Sequence, residues 1–114
     1  AIESLMQLRE QKLWQQGRVK EYHIVISDTV RTYIEHRYSI GAMEMTSDEI
    51  MRSLRLIIVE PELKVKLSSL LILSDMVKFA KEQPLPNENE MSWEHAIEFV
   101  KLTALIQEKE ELKS

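Results

Sequence analysis

A chain of 114 residues that is 44% hydrophobic and 30% charged is long enough for one domain with its own core and too apolar for a disordered segment. It has no cysteine, so disulfides and thiolate zinc sites are excluded, and its net charge of −4 denies it the basic face that non-specific nucleic-acid binding needs. Two glycines and three prolines leave too few tight turns for a many-stranded β fold, so the expectation is a single all-α domain over residues 1–114.

The first helix is predicted over residues 2–15. Ile2, Leu5, Met6, Leu8, Leu13 and Trp14 fall on one side at helical spacing, and Gly17 supplies the stop. The second covers 19–38, where Val19, Tyr22, Ile26, Val30, Tyr33 and Ile34 step by three or four, with Gly41 marking its end. The third, 47–58, has the clearest start signal in the chain. Thr46 and Glu49 are spaced for a reciprocal capping box, and Ile50, Met51, Leu54, Ile57 and Ile58 form its inner face. Pro61 suits the first turn of the fourth helix, which runs to about Glu82. Leu63, Leu67, Leu70 to Leu73, Met76, Val77, Phe79 and Ala80 cover most of its circumference, which predicts a central helix. Residues 83–91 contain two prolines and read as a loop. Ser92 then caps a last helix over 93–111 with Trp93, Ala96, Ile97, Val100 and Ala104 facing inward and a fraying polar tail. The fold expected is a compact five-helix bundle around the fourth helix, neighbours mostly antiparallel.

Charge is uneven. Residues 1–40 carry six Lys/Arg and five Asp/Glu, whereas residues 83–114 carry three and seven. No apolar run exceeds four residues, as at Leu70 to Leu73 and Leu56 to Val59, far short of the roughly 20 residues that span a bilayer. The chain starts at Ala1 in helical sequence with no initiator Met, which reads as a piece of something longer or a processed product.

Catalytic chemistry is hard to place. No serine has a lysine three residues later, there is no Gly-x-Ser-x-Gly, and no glycine-rich phosphate loop is possible. His23, His36 and His95 have Lys20, Tyr33 and Ser92 at the position where a bundle metal site needs glutamate. No catalytic, cofactor or metal residue is therefore nominated. The structural candidates are Thr46 and Glu49 in the capping box, Arg31 and Arg37, and Asp75. Arg31 can pair with Glu35 on its own helix or reach inward to a carboxylate elsewhere. Asp75 lies in the most apolar stretch, where an unpaired carboxylate is costly, so it is expected to bond Arg31 or Arg37 and lock the second helix to the fourth. Met43, Met45 and Met51 read as core residues before they read as a groove for a partner helix.

Three stretches carry a resemblance: Leu13-Trp14-x-x-Gly17-x-x-Lys20-Glu21-Tyr22; Arg31-x-Tyr33-Ile34-Glu35-x-Arg37 with Ala42-Met43-Glu44-Met45-Thr46-x-Asp48-Glu49-Ile50; and Asp75-x-x-Lys78-Phe79-Ala80-Lys81-x-x-Pro84. Over about residues 8–103 the chain resembles the cytosolic C-terminal domain of a membrane protein of the Bacteroides group. Genes of that family neighbour those of a MoxR-type AAA+ ATPase, the Bat aerotolerance proteins and von Willebrand A-domain proteins. The resemblance implies a periplasmic region and one transmembrane helix ahead of Ala1, placing this domain on the cytoplasmic face of the inner membrane. Arg9, Lys12, Arg18 and Lys20 agree with that side. It implies protein partners among those neighbours and brings no site residues. The function expected is a non-enzymatic interaction or scaffold domain. The alternative is a helix-turn-helix-like DNA-binding regulator built on the third and fourth helices, where Glu60 and Glu62 would face phosphates. Oligomeric state is not set by the sequence.

Overall fold

The structure, a computed structural model, describes residues 1–58 and 60–113. Its regular elements are α1 (Ile2–Gln11), α2 (Val19–Tyr38), α3 (Ser47–Ser53), α4 (Pro61–Ala80) and α5 (Pro86–Lys113), with 3-10 turns at Trp14–Gln16 and Ala42–Glu44. They form an all-α five-helix bundle with no strand among the described residues.

Local chemistry sets most boundaries. α1 ends at Gln11 rather than at residue 15, because Lys12 turns left-handed and its amide closes back on the Arg9 carbonyl. Leu13 and Trp14 then enter a tight turn that Gly17 ends at φ 81°, a conformation open to glycine at no steric cost. α2 spans the predicted residues. Its stop is Ser39, left-handed at φ 56°, and not Gly41, whose φ of −82° any residue adopts. At α3, Thr46 Oγ1 accepts from the Glu49 amide at 3.1 Å and Glu49 Oε1 accepts from the Thr46 amide at 3.0 Å. These hydrogen bonds hold the Glu49 carboxyl below its ordinary range. α3 is shorter than predicted and gives way after Ser53 to turns that still bury Leu54 and Ile58.

α5 departs furthest from expectation. It begins at Pro86, so the loop predicted over 83–91 shrinks to the few residues between Ala80 and Pro86. Pro86 takes the first helical position, where a missing N–H costs nothing, and Glu88 Oε1 accepts from the Leu85 amide at 2.8 Å. Ser92 is therefore inside the helix with its side chain buried, not at a cap. The polar tail stays helical to Lys113, and 28 residues make a rod of about 42 Å that accounts for the bundle's 47 Å long axis.

α2 packs against α1, α4, α5 and both 3-10 turns, while α4 packs against α2, α3 and α5. Ile26, Val30 and Ile34 meet Leu67, Leu70 and Leu71 across the core, with Phe99 and Val100 closing it from α5. Trp93 Nε1 donates to the Leu5 carbonyl at 2.7 Å and ties α1 to α5. α4 is buried on one side only. Leu63, Leu67, Leu70, Leu71, Ser74 and Val77 face the core, but Val65, Ile72, Met76 and Phe79 are 63%, 56%, 43% and 77% exposed. The all-round apolar character of this helix thus reflects two faces, of which the bundle covers one.

Candidate functional site

Arg31 is the hub of the polar interior. It lies on the face of α2 that meets the 42–47 segment and is only 7% exposed. Its Nε donates to Ser27 Oγ at 3.0 Å, one turn back on the same helix. Nη1 donates to the Ala42 carbonyl at 2.9 Å and to the Met45 carbonyl. Nη2 donates to Ser47 Oγ at 3.3 Å, and that hydroxyl donates in turn to Asp75 Oδ2 at 2.6 Å. The expected direct bond between Asp75 and an arginine is therefore a relay. Ser47, the first residue of α3, wedges between α2 and α4, and carbonyls occupy the guanidinium edge that a carboxylate would have taken. Arg37 takes no part in it. It stacks over Tyr38 at 4.7 Å and reaches Glu110 at 3.7 Å. Nor does Arg31 pair with Glu35, which instead accepts from the Met43 amide at 2.9 Å.

A cleft of about 380 Å³ opens beside this hub, walled by Met43, Phe79, Lys78, Asp28 and Asp75. It offers little chemistry. Arg31 is spent on four acceptors, Ser47 is held by Asp75, and neither Glu49 nor any histidine lines the walls. Among the described residues no three carboxylates or imidazoles converge in a way that could hold a metal ion. Met45 and Met51 pack against the core while Met43 is exposed, so the three methionines do not form one groove.

His23 is the buried imidazole. Nε2 lies 2.7 Å from Asn89 Oδ1, and Tyr22 donates its hydroxyl to the Asn89 carbonyl at 2.9 Å, so α2 and α5 are clamped by a polar pair within apolar packing. With Oδ1 as acceptor, Nε2 carries the proton and Nδ1 is a bare lone pair, buried and unpartnered. Burial lowers the His23 pKa from the ordinary 6.5, against a smaller upward pull from the Asn89 hydrogen bond. The unfolded chain therefore takes up a proton before the folded one does. Stability is expected to be flat above about pH 7 and to fall as pH drops through about 6.5. The slope from this one group is at most about 1.4 kcal/mol per pH unit. Urea midpoints of the wild type and His23→Gln between about pH 7.5 and 5.5 test it, since the glutamine variant should lose that slope. Equal slopes would show that His23 takes a proton as readily folded as unfolded.

The other feature is the outer face of α4. Ile72 and Met76 line a hollow with Leu73, Glu82 and Glu88, which adjoins a second hollow bounded by Met91, Ser92 and His95 of α5. No helix among the described residues is long and apolar enough to cross a membrane. No family model, curated protein or solved structure matches this chain.

Of the residues singled out from sequence, the structure brings Arg31 and Asp75 into one network, keeps Thr46 and Glu49 as a cap beside it, and sends Arg37 to the far end of α2. Sequence reasoning missed Ser47 and Asn89 as interior groups, whereas His23, beside the Tyr22 and Ile26 stripe, could be read as partly buried and is fully so. For Asn89 and Ser92 a signal existed: both fall on the helical spacing that continues through Trp93 and Ala96. The α3–α4 pair bears on the DNA reading only through its charges. Lys64 Nζ donates to the Arg55 carbonyl, and Glu62 pairs with Lys66 at 2.7 Å at the start of the helix that would enter the groove.

Proposed function

We propose that this domain is a non-enzymatic interaction platform of a membrane-anchored protein, held on the cytoplasmic face of the inner membrane, where it docks a MoxR-type AAA+ ATPase or a von Willebrand A-domain protein. The supporting observation is the exposed apolar face of α4, in a domain whose Arg31–Ser47–Asp75 network is committed to holding its own helices. A contiguous apolar face rimmed by charge is the usual mark of a protein contact. The family resemblance supplies the anchor and the candidate partners.

The test uses the purified domain and the MoxR-type ATPase in sedimentation velocity or calorimetry. Binding is expected, and Ile72→Glu should weaken it at least about tenfold, or ~1.4 kcal/mol, without changing the thermal melt. No association at about 100 μM of each protein, equivalent to less than ~5.5 kcal/mol of affinity, removes the ATPase reading.

A further inference from the structure

Val65, Ser69, Ile72, Met76 and Phe79 recur along α4 at intervals of four, three, four and three residues, and Glu62 continues the line one step toward the N-terminus. That is the spacing of a coiled-coil seam, laid on the side of the helix opposite the core residues Leu67, Leu70, Leu71 and Ser74. It covers 14 residue steps, a contact length of about 21 Å, which is the footprint of a helix of four turns. Ser69 makes a notch in its middle. The flanking hollows, of about 200 and 360 Å³, share Ser69, Leu73 and Glu88 and are walled by Met76 and Met91, side chains that adapt to an incoming surface. In the same wall Ser92 Oγ is buried without a hydrogen-bond partner.

Charge decides what lies there. Glu62 continues the seam and Glu82 and Glu88 line its hollows, while Lys64, beside Val65, donates its Nζ to the Arg55 carbonyl. Lys66 is already held by Glu62 at 2.7 Å and Glu98 at 3.3 Å, and Lys78 lies 5.5 Å over the Phe79 ring. Glu82 and Glu88 have no ion-pair partner among the described residues. A second copy is a poor fit. Glu62 and Glu82 stand at opposite ends of the seam, so an antiparallel copy sets Glu62 against Glu82 and a parallel copy sets each against itself. An anionic bilayer is repelled by the same rim.

We infer that the outer seam of α4 receives a basic amphipathic α-helix of a partner protein, an inference that rests on the docking role proposed above. The apolar stripe of that helix fills the notch and the two hollows, its Lys or Arg flanks meet Glu82 and Glu88, and one polar side chain reaches the Ser92 hydroxyl.

Three synthetic peptides of about 18 residues test this against the whole domain by calorimetry and by methyl signals of Met76 and Met91. One has an apolar stripe at heptad spacing with Lys/Arg flanks, one the same stripe with Glu flanks, and one the basic composition with the stripe scrambled. Only the first is expected to bind. Ile72→Glu and the Glu82→Lys/Glu88→Gln pair, in which the glutamine keeps an acceptor for the Leu85 amide, should each weaken it about tenfold, and salt should weaken it further. Both variants change exposed residues, and unchanged melts confirm their folding. Equal binding of the acid-flanked peptide, no binding of the basic one, tighter binding to phosphatidylglycerol vesicles, or self-association of the domain that Ile72→Glu dissolves would each overturn the inference. If the ATPase binds and the basic peptide does not, the docking role survives and the inference fails. If the peptide binds and the ATPase does not, the seam stands and the named partner falls.

Discussion

Arg31→Met is expected to destabilise the domain by about 3–5 kcal/mol, the scale for removing one member of a buried charged network. The methionine fills much of the volume but donates nothing. The Ala42 and Met45 carbonyls, Ser27 Oγ and Ser47 Oγ all lose their donor together, and Asp75 loses the positive charge that reaches it through Ser47. Two of those acceptors belong to the irregular stretch between α2 and α3, so the loss also loosens that segment, which then keeps the buried Ala42 and the Met43–Glu35 hydrogen bond as its ties to α2. Arg31→Lys should recover only a minor part, because one ammonium cannot serve acceptors spread around a planar fork. Asp75→Asn is the contrasting control at about 1 kcal/mol, since Ser47 can still donate to an amide oxygen and the site is half-buried. Urea denaturation gives the three values by linear extrapolation. A small domain has about 5–15 kcal/mol in hand, so Arg31→Met should leave it near the edge of folding. If Arg31→Met costs no more than Asp75→Asn, the guanidinium is not holding the loop in place.

Helix class and the course of α2 were legible because they rest on local, redundant signals. The Val19-to-Ile34 stripe, the Thr46–Glu49 box and Pro61 each point to one structure without knowing what packs where. The errors have one physical form. At the start of α5, Pro84 and Pro86 read as breakers, yet the second proline sits where helices accept it, and the polar run Asn87 to Glu90 conceals that Asn89 faces inward to His23 and Tyr22. At the hub, a charge among apolar residues was rightly expected to have a partner, but its identity depended on a third helix. Ser47 is placed by the capping box, and only that placement brings its hydroxyl between Arg31 and Asp75. Nothing in the spacing of residues 31 and 75 could distinguish a direct bond from a relay.

The same limit applies to α4, where composition was read as burial on all sides. The contrast between Leu70→Ala and Ile72→Ala separates the two faces. Leu70 is fully buried against α2 and α5, so its truncation removes transfer free energy and leaves a cavity, an expected loss of about 3–5 kcal/mol. Ile72 lies two residues on and is more than half exposed, facing no helix of the bundle. Its truncation in the isolated domain is expected to fall within about 0.5 kcal/mol of zero, since little buried area is lost and alanine is the better helix former. Chemical denaturation of the two variants at low protein concentration gives the comparison. With the partner helix bound the order should narrow, because Ile72→Ala then removes a contact that the free domain lacks. A large cost for Ile72→Ala in the free domain would mean that its outer face is already covered in solution, and a helix from elsewhere would have no open seam to occupy.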